Sequence, residues 1–209
     1  MKKIPAKSVE RICRYRQVLL DSLSLGKEFI YSHELAHAIK ASPAQVRRDL
    51  MPFNLEGTPQ KGYHIRKLLQ EIEVVMDPPE GQKVVLIGIG NLGRAILSYF
   101  SKRRPNLTII AAFDTDPEKV NRLYAGIKSH PLENLESIVG QEKIAVGIIT
   151  VPAIHAQNAA NQLIKCGVKG IINFAPLQLH VPDYVFLENI DITTAIEKTA
   201  YFAMETWAV

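Results

Sequence analysis

The stretch Val84 to Gly93, Val-Val-Leu-Ile-Gly-Ile-Gly-Asn-Leu-Gly, constrains the fold more than any other part of the chain. An apolar run passes into Gly88-Ile89-Gly90-Asn91-Leu92-Gly93 and then into a helical pattern. Gly88 permits a tight turn, Gly90 lets backbone approach a pyrophosphate, and Gly93 lets the helix pack close to the strand. The helix N-terminus offers free N–H groups and a positive dipole end to phosphates. Asp114, 21 residues past Gly93, closes a second apolar run, Leu107 to Phe113. A carboxylate there accepts hydrogen bonds from a ribose diol and repels a 2′-phosphate, which favours NAD(H) over NADP(H). The competing explanation is a glycine-rich turn in some other α/β protein, with Asp114 a surface cap. It has to account for the strand, the helix, the second strand and the acid separately.

The rest of the C-terminal two-thirds alternates strands and helices, the pattern of a doubly wound parallel sheet covered on both faces. Strands are expected at Val84–Ile87, Thr108–Phe113, Ile144–Val151, Gly170–Phe174 and near Tyr184–Ile190. Helices are expected at Leu92–Ser101, Pro117–Leu123, Leu132–Val139, His155–Cys166 and Thr194–Trp207. Ligands of such sheets bind at the carboxyl ends of the strands. That rule selects Thr150, Val151 and Pro152, and Asn173 and Phe174, as residues facing the nicotinamide side; ordinary turn chemistry explains them equally well.

Asp77-Pro78-Pro79-Glu80-Gly81 is rich in breakers and is the best candidate domain boundary. It also divides the charge. Residues 1–76 hold 13 Lys/Arg against 8 Asp/Glu, so the overall +4 belongs to the N-terminal third. That asymmetry suits a polyanion partner, although solvated faces are often as basic. The segment reads as helices: Ser8 to Leu25 with an apolar stripe, His33 to Lys40 capped by Ser32, and a third helix opened by Ser42-Pro43-Ala44-Gln45, a capping box with proline at the first helical position. The third helix carries Val46, Leu50 and Phe53 on one face, with Gln45, Arg47, Arg48 and Asp49 off it. This is the helix-turn-helix arrangement. The loop from Leu55 to Ile65, ending Lys61-Gly62-Tyr63-His64-Ile65, fits a small β-wing. Arginine and lysine suit base and phosphate contacts from these elements. The same spacing also fits a three-helix protein-interaction module with solvated arginines.

Other classes have less support. No stretch reaches roughly 18 apolar residues, so no membrane-spanning helix is expected. The N-terminus lacks the apolar core of a signal peptide, and Cys13 and Cys166 lack metal-ligand spacing, so a reducing cytoplasm is the expected location. His33 and His37 lie one helical turn apart without a third ligand, so no metal site is expected. His155 is the one candidate acid/base for a dehydrogenase, and too little chain follows the last strand for a substrate domain. A dinucleotide fold joined to a basic helix-turn-helix is more economically a sensor than a catalyst; a small NAD-dependent oxidoreductase stays as the alternative.

Over nearly its whole length the chain resembles the Rex family of redox-sensing transcriptional repressors. The resemblance rests on Ser42 to Phe53, on Gly88 to Gly93 with Tyr99, on Phe113 to Val120, on Thr150-Val151-Pro152-Ala153, on Gly167 to Pro176, and on Asn189-Ile190-Asp191. It implies a winged helix-turn-helix at 1–77, a Rossmann-like NAD(H)-binding domain at 78–192, and a dimerisation helix at 193–209 swapped between subunits. It implies a homodimer on palindromic operator DNA, compatible with NAD⁺ and released by NADH. DNA contacts then fall to Ser42, Gln45, Val46, Arg47 and Arg48, with Lys61 and Tyr63 from the wing. Gly88 to Gly93, Asp114, Thr150 to Pro152, Asn173 and Phe174 hold the cofactor, and Tyr99, Asp191 and Ile192 form the redox switch.

The chain departs from the family pattern in three places. Gln17 stands where the family usually has an arginine able to pair with the aspartate equivalent to Asp191, which leaves Arg14 or Arg16 as substitutes. Pro59 and Gln60 replace a basic residue and a glycine of the wing. Ile192 replaces a residue that is often aromatic. A relative that senses nucleotide with lost or altered DNA binding is therefore a further alternative.

Overall fold

The computed structural model describes residues 4–51, 61–78, 80–100 and 106–207. Contacts divide it into two compact units, Met1–Pro79 and Glu80–Val209.

The first unit is helical. Helices α1 (Ala6–Ser24), α2 (Ser32–Ile39), α3 (Pro43–Leu50) and α4 (Ile65–Met76) enclose one core. A two-stranded antiparallel sheet, β1 (Phe29–Ile30) with β2 (Tyr63–His64), leads into α4. Ile12, Tyr15 and Leu19 of α1 recur at helical spacing and are fully buried, as are Leu35, Val46, Leu50, Ile65 and Ile72. The α4 helix was not anticipated from the sequence. Its signal was present in Ile65, Leu68, Leu69 and Ile72, all buried on one face.

Two caps differ from expectation. Ser32 is the first residue of α2 rather than its cap; Tyr31 precedes the helix, and its backbone N–H donates to Glu34 Oε2 at 2.7 Å. Ser42 does cap α3, its Oγ accepting from the Gln45 N–H at 3.1 Å. The reciprocal half of the capping box is not made, because the Gln45 amide reaches Asp49 instead, at 3.0 Å. Phe53 and the wing loop with Pro59 and Gln60 lie outside the described residues.

Arg16 is almost fully buried and holds the carboxylate of Asp77, the residue after α4. Its Nη1 donates to Oδ1 at 3.2 Å and its Nη2 to Oδ2. The start of the interdomain linker is thereby fixed to α1.

The second unit is a seven-stranded sheet among the described residues. Its strands are β3 (Gln82–Ile87), β4 (Leu107–Asp114), β5 (Leu123–Tyr124), β6 (Ile127–Pro131), β7 (Val146–Ile149), β8 (Gly170–Asn173) and β9 (Phe186–Asn189). Their order is β5-β6-β4-β3-β7-β8-β9, parallel except for β5. Successive side chains of β3 alternate between two cores. Val85 and Ile87 pack with α6 (Leu135–Glu142) and α7 (Ala153–Lys165), whereas Val84 and Leu86 pack with Leu97 of α5 (Asn91–Phe100). A strand buried on both faces needs the continuous apolar run seen in the sequence. Among the described side chains of the final helix, α8 (Ile192–Trp207), none belongs to any of the three cores.

The helix expected at Pro117–Leu123 is absent. Asp116 Oδ1 accepts from the Glu118 N–H at 2.9 Å, an Asx turn that competes with helix, and Asn121 is left-handed at φ 56°. The chain then pairs Leu123 and Tyr124 with Lys128 and Ile127, a small hairpin that the sequence reading had not included.

A Cβ at position 93 would fall inside the Gly88 carbonyl oxygen and 3.0 Å from Thr150 Oγ1. Gly93→Ala is expected to destabilise the second unit by about 3 kcal/mol, since backbone cannot yield as a side chain does. Asp77→Ala strands a buried guanidinium and is expected to cost about 2 kcal/mol, below the figure for a wholly buried pair because Asp77 keeps some solvent contact. Urea unfolding of the full chain, against helical content without denaturant, checks both; an unchanged midpoint would contradict the packing described.

Candidate functional site

The chain runs from β3 through α5 to β4 on one side, and from β7 through α7 to β8 on the other. The crevice between β3 and β7 is therefore the switch point of the sheet. The glycine-rich turn lies at its mouth. Gly88 has φ +102°, and a Cβ there would sit 2.8 Å from the Thr150 carbonyl. The turn is tied on both sides. The Gly88 N–H donates to Phe113 O at 2.8 Å, and Thr150 Oγ1 donates to Gly88 O at 2.7 Å. The Ile89 N–H donates to Asp114 Oδ2 at 2.7 Å, while the Ile89 side chain is fully buried, so only its backbone serves the turn. A Cβ at Gly90 would meet nothing within 4 Å, leaving open space beside the first turn of α5. Asn91 and Leu92 are exposed at that helix start.

A cavity of about 400 Å³ joins these residues. It is lined by Gly88, Gly90, Asp114, Thr150, Val151, Pro152 and His155, among others. Its size and its mixture of backbone, charged side chains and apolar walls suit the adenosine half of a dinucleotide. Asp114 is part of the wall. Its Oδ1 accepts from the Asp116 N–H at 2.9 Å, and Lys119 Nζ lies 3.9 Å from Oδ2.

Asp116 and Lys119 also line the cavity, 3.1 Å apart, and were not singled out as site residues. The Glu118 N–H and Lys119 hold the Asp116 carboxyl below its usual range, and Asp116 followed by Asp114 raises Lys119. Their signal was the spacing just past the end of β4.

Thr150, Val151 and Pro152 line the same cavity as Asp114, and His155 stands with them. Two expectations change. Asn173 is buried. Its amide donates to the Asn189 side chain at 2.9 Å and to Leu177 O at 2.8 Å, and its Oδ1 accepts from the Ala175 N–H at 3.0 Å. The residue therefore fastens β8 to β9, with its amide hydrogens engaged within the chain. Phe174 lies elsewhere, in an apolar groove with Ile96, Tyr99, Phe100 and Ile172.

The switch residues are not gathered in one place. Tyr99, exposed, borders the Phe174 groove. Asp191 borders a separate cavity with Ala175 and Asn189, and caps α8, its Oδ1 accepting from the Thr194 N–H at 3.0 Å and its Oδ2 from the Thr194 hydroxyl at 2.7 Å. Those two donors hold its carboxyl below the usual range. Ile192 follows it, exposed. Of the proposed arginine substitutes, Arg16 is engaged by Asp77 and Arg14 by Glu10. Gln17 donates to Asp21 at 2.9 Å.

In the first unit, α2, a short turn and α3 form the helix-turn-helix. Ser42, Arg47 and Arg48 are exposed on α3. Arg47 Nη1 donates to Ser32 Oγ at 3.2 Å, which steadies the side chain without covering it. Val46 is fully buried, so it belongs to the core and cannot touch a duplex. Tyr63 is buried too; burial raises its phenol, partly opposed by Arg47, and it serves as packing rather than as a wing contact. Lys61 is exposed, its ammonium 6.0 Å from the Phe29 ring centroid. Asp49, expected off the apolar face, is also buried.

Comparison with known proteins agrees with both halves. Residues 3–50 match a family described as the N-terminus of putative DNA-binding proteins, and residues 80–177 match one described as a CoA binding domain. The redox-sensing transcriptional repressor Rex of Halalkalibacterium halodurans is 37% identical over 96% of this chain and 94% of its own length. Rex of Limosilactobacillus reuteri is 38% identical over 96% and 94%. Among solved structures, RSP, a Rex-family repressor, superposes on 100% of the chain and 97% of its own with a TM-score of 0.85 at 27% identity. RSP in complex with NAD⁺ and operator DNA gives a TM-score of 0.88 at 28% identity, covering 100% of this chain and 96% of RSP. The chain belongs to the Rex family of redox-sensing transcriptional repressors.

Proposed function

We propose that this protein is an NADH-responsive repressor that binds inverted-repeat operator DNA as a homodimer and is released from it by NADH. The observation that carries the reading is one chain holding both a β3–β7 crevice opened by Gly88, Gly90 and Asp114 and a helix-turn-helix with Arg47 and Arg48 exposed. The RSP structures with NAD⁺ and operator DNA and with NADH support it. The working division is 1–77 for DNA, 78–192 for nucleotide and 193–209 for dimerisation.

Each residue has a physical task in this reading. Asp114 accepts the ribose diol, while the amides of the first turn of α5 neutralise pyrophosphate charge. Thr150 holds the glycine turn in place from β7. Arg47 and Arg48 read guanine edges or neutralise phosphate, Ser42 fixes the start of their helix, and Lys61 adds a phosphate contact. When bound, the nicotinamide supplies a redox state, as a charged planar ring or a neutral one. The chain reads that state near Tyr99, Phe174, Asp191 and Ile192. A swapped α8 is supported by its exposed Ile192, Ile196, Tyr201, Phe202 and Met204, and by the apolar groove beside α5 that a second copy's helix would cover. A two-fold dimer would set two α3 helices on successive half-sites of one duplex face. Any preference of NADH for the DNA-incompetent arrangement must weaken DNA and NADH binding by the same factor.

The test is a titration of the full chain, at fixed salt, against a duplex it selects from a random-sequence pool, without nucleotide, with NAD⁺ and with NADH. Tight binding lost only with NADH is expected. Binding of NADH without any sequence selection would replace this reading with that of a sensor that has lost its operator. Arg47→Ala is expected to weaken the selected duplex about tenfold or more while leaving NADH affinity unchanged; parallel loss of both would sink the two-module account. Asp114→Ala is expected to weaken NADH binding about tenfold, and equal affinity would place the ribose elsewhere.

A further inference from the structure

We propose that Asp49 is a positioning residue for DNA recognition, setting the rotation of α3 about its own axis and hence the direction in which Arg47 and Arg48 are presented. The proposal rests on the DNA-binding reading above. The Asp49 side chain is 3% exposed. Its Oδ1 accepts from Arg11 Nη2 at 2.8 Å and Gln45 Nε2 at 3.0 Å, and its Oδ2 from Arg11 Nε at 2.6 Å and the Tyr15 hydroxyl at 3.1 Å. Four donors fill the lone pairs of the carboxylate. Arg11 and Tyr15 come from α1 and Gln45 from α3 itself, so the bonds fix the angle between the two helices as well as their contact.

An apolar side chain would have filled the same space, and a buried ion pair is seldom the more stabilising choice. The difference is directional. Apolar burial is indifferent to a small rotation of a two-turn helix, whereas a fork of paired hydrogen bonds is not. Successive helical residues are about 100° apart, so Arg48 sits next to Asp49 around the axis and Arg47 on nearly the opposite side. Any roll that draws Asp49 from its clamp swings both arginines through the same angle. Arg48 makes no side-chain hydrogen bond or ion pair among the described residues, so its aim depends on the helix alone. The same geometry reassigns Gln45. Its amide nitrogen donates to Asp49 on the same helix, so Gln45 serves the clamp rather than standing clear of it.

A misaimed helix loses base contacts but keeps its charge, whereas a partly unfolded unit loses all binding in proportion. The discriminating quantity is therefore the ratio of affinities for the selected duplex and for a random-sequence duplex of equal length. Asp49→Asn, Arg11→Lys and Tyr15→Phe in the full chain would be measured on both duplexes over a range of salt, with NADH affinity and thermal unfolding alongside. Asp49→Asn is expected to lower the ratio about tenfold, with random-sequence affinity and its salt slope kept within about twofold. Arg11→Lys, which keeps the charge but not the fork, and Tyr15→Phe, which removes one donor, are expected to fall between it and the parent. Should Asp49→Asn fail to fold, these two milder variants carry the test. An unchanged ratio in the folded variants, or equal losses on both duplexes, would overturn the proposal. A parent chain that selects no sequence would overturn the DNA-binding reading first, and this inference with it.

Discussion

The contact between Gly93 and the Gly88 carbonyl joins the architecture of the second unit to its chemistry. A helix can start this close to the end of a strand only if residue 93 carries no side chain at the point of contact. The closeness brings the first turn of α5 over the carboxyl end of β3 and leaves its unpaired amides facing the crevice. The neighbouring strands then hold the turn from both sides, β4 through Phe113 and Asp114 and β7 through Thr150. The residue assigned to the ribose diol and the residues that shape the turn are thus one hydrogen-bonded assembly. Asp114 is scaffold in the structure and, in the proposed function, the reader of the ribose as well, with the Ile89 N–H bonded to the same carboxylate.

The first unit solves a different problem. It has a small core and must hold a two-turn helix at a defined angle. Val46 and Leu50 supply the burial, and the Arg11–Asp49–Tyr15–Gln45 cluster supplies direction. Burial alone pushes the Asp49 carboxyl upward, but the bonds from Arg11, Gln45 and Tyr15 outweigh it and hold the group below its ordinary range. A carboxylate with a depressed value contributes its full stability above the unfolded value and loses it as pH falls through the folded one. The clamp is therefore intact through neutral conditions and opens only in acid below the usual carboxylate range.

Much of this was legible in the sequence because it depends on local rules. The strand, glycine turn and helix at Val84–Phe100 follow from glycine geometry and apolar runs, and the α3 start follows from Ser42 and Pro43. What failed depends on tertiary partners. Val46 reads both as part of the apolar face and as a DNA contact, and burial leaves it only the first; Asp49 reads as off that face, yet meets Arg11 from α1. Asn173 ends a strand, as a ligand residue would, but its amide finds Asn189 across the sheet. Pro117–Leu123 has helix-compatible composition, and an Asx turn at Asp116 overrides it. Helix α4 follows a loop rich in Gly and Pro, and its apolar periodicity at Ile65, Leu68, Leu69 and Ile72 begins only where that loop ends.

The departure at Gln17 gains its meaning from α1 as a whole. The family's usual arginine is absent; of its neighbours, Arg16 is held by Asp77 in a buried pair, and Arg14 meets Glu10 on the exposed surface. Arg16, however, fastens α1 to the last residue before Pro78, and Arg11 and Tyr15 of the same helix fasten it to α3. The covalent path into the first unit therefore meets, at its first buried contact, the helix that holds the recognition helix in register. Coupling between nucleotide and DNA requires two arrangements that each ligand prefers differently, not one particular salt bridge. Within the first unit α1 carries two such ties, Arg16 to Asp77 and Arg11 to Asp49, and Gln17 takes part in neither.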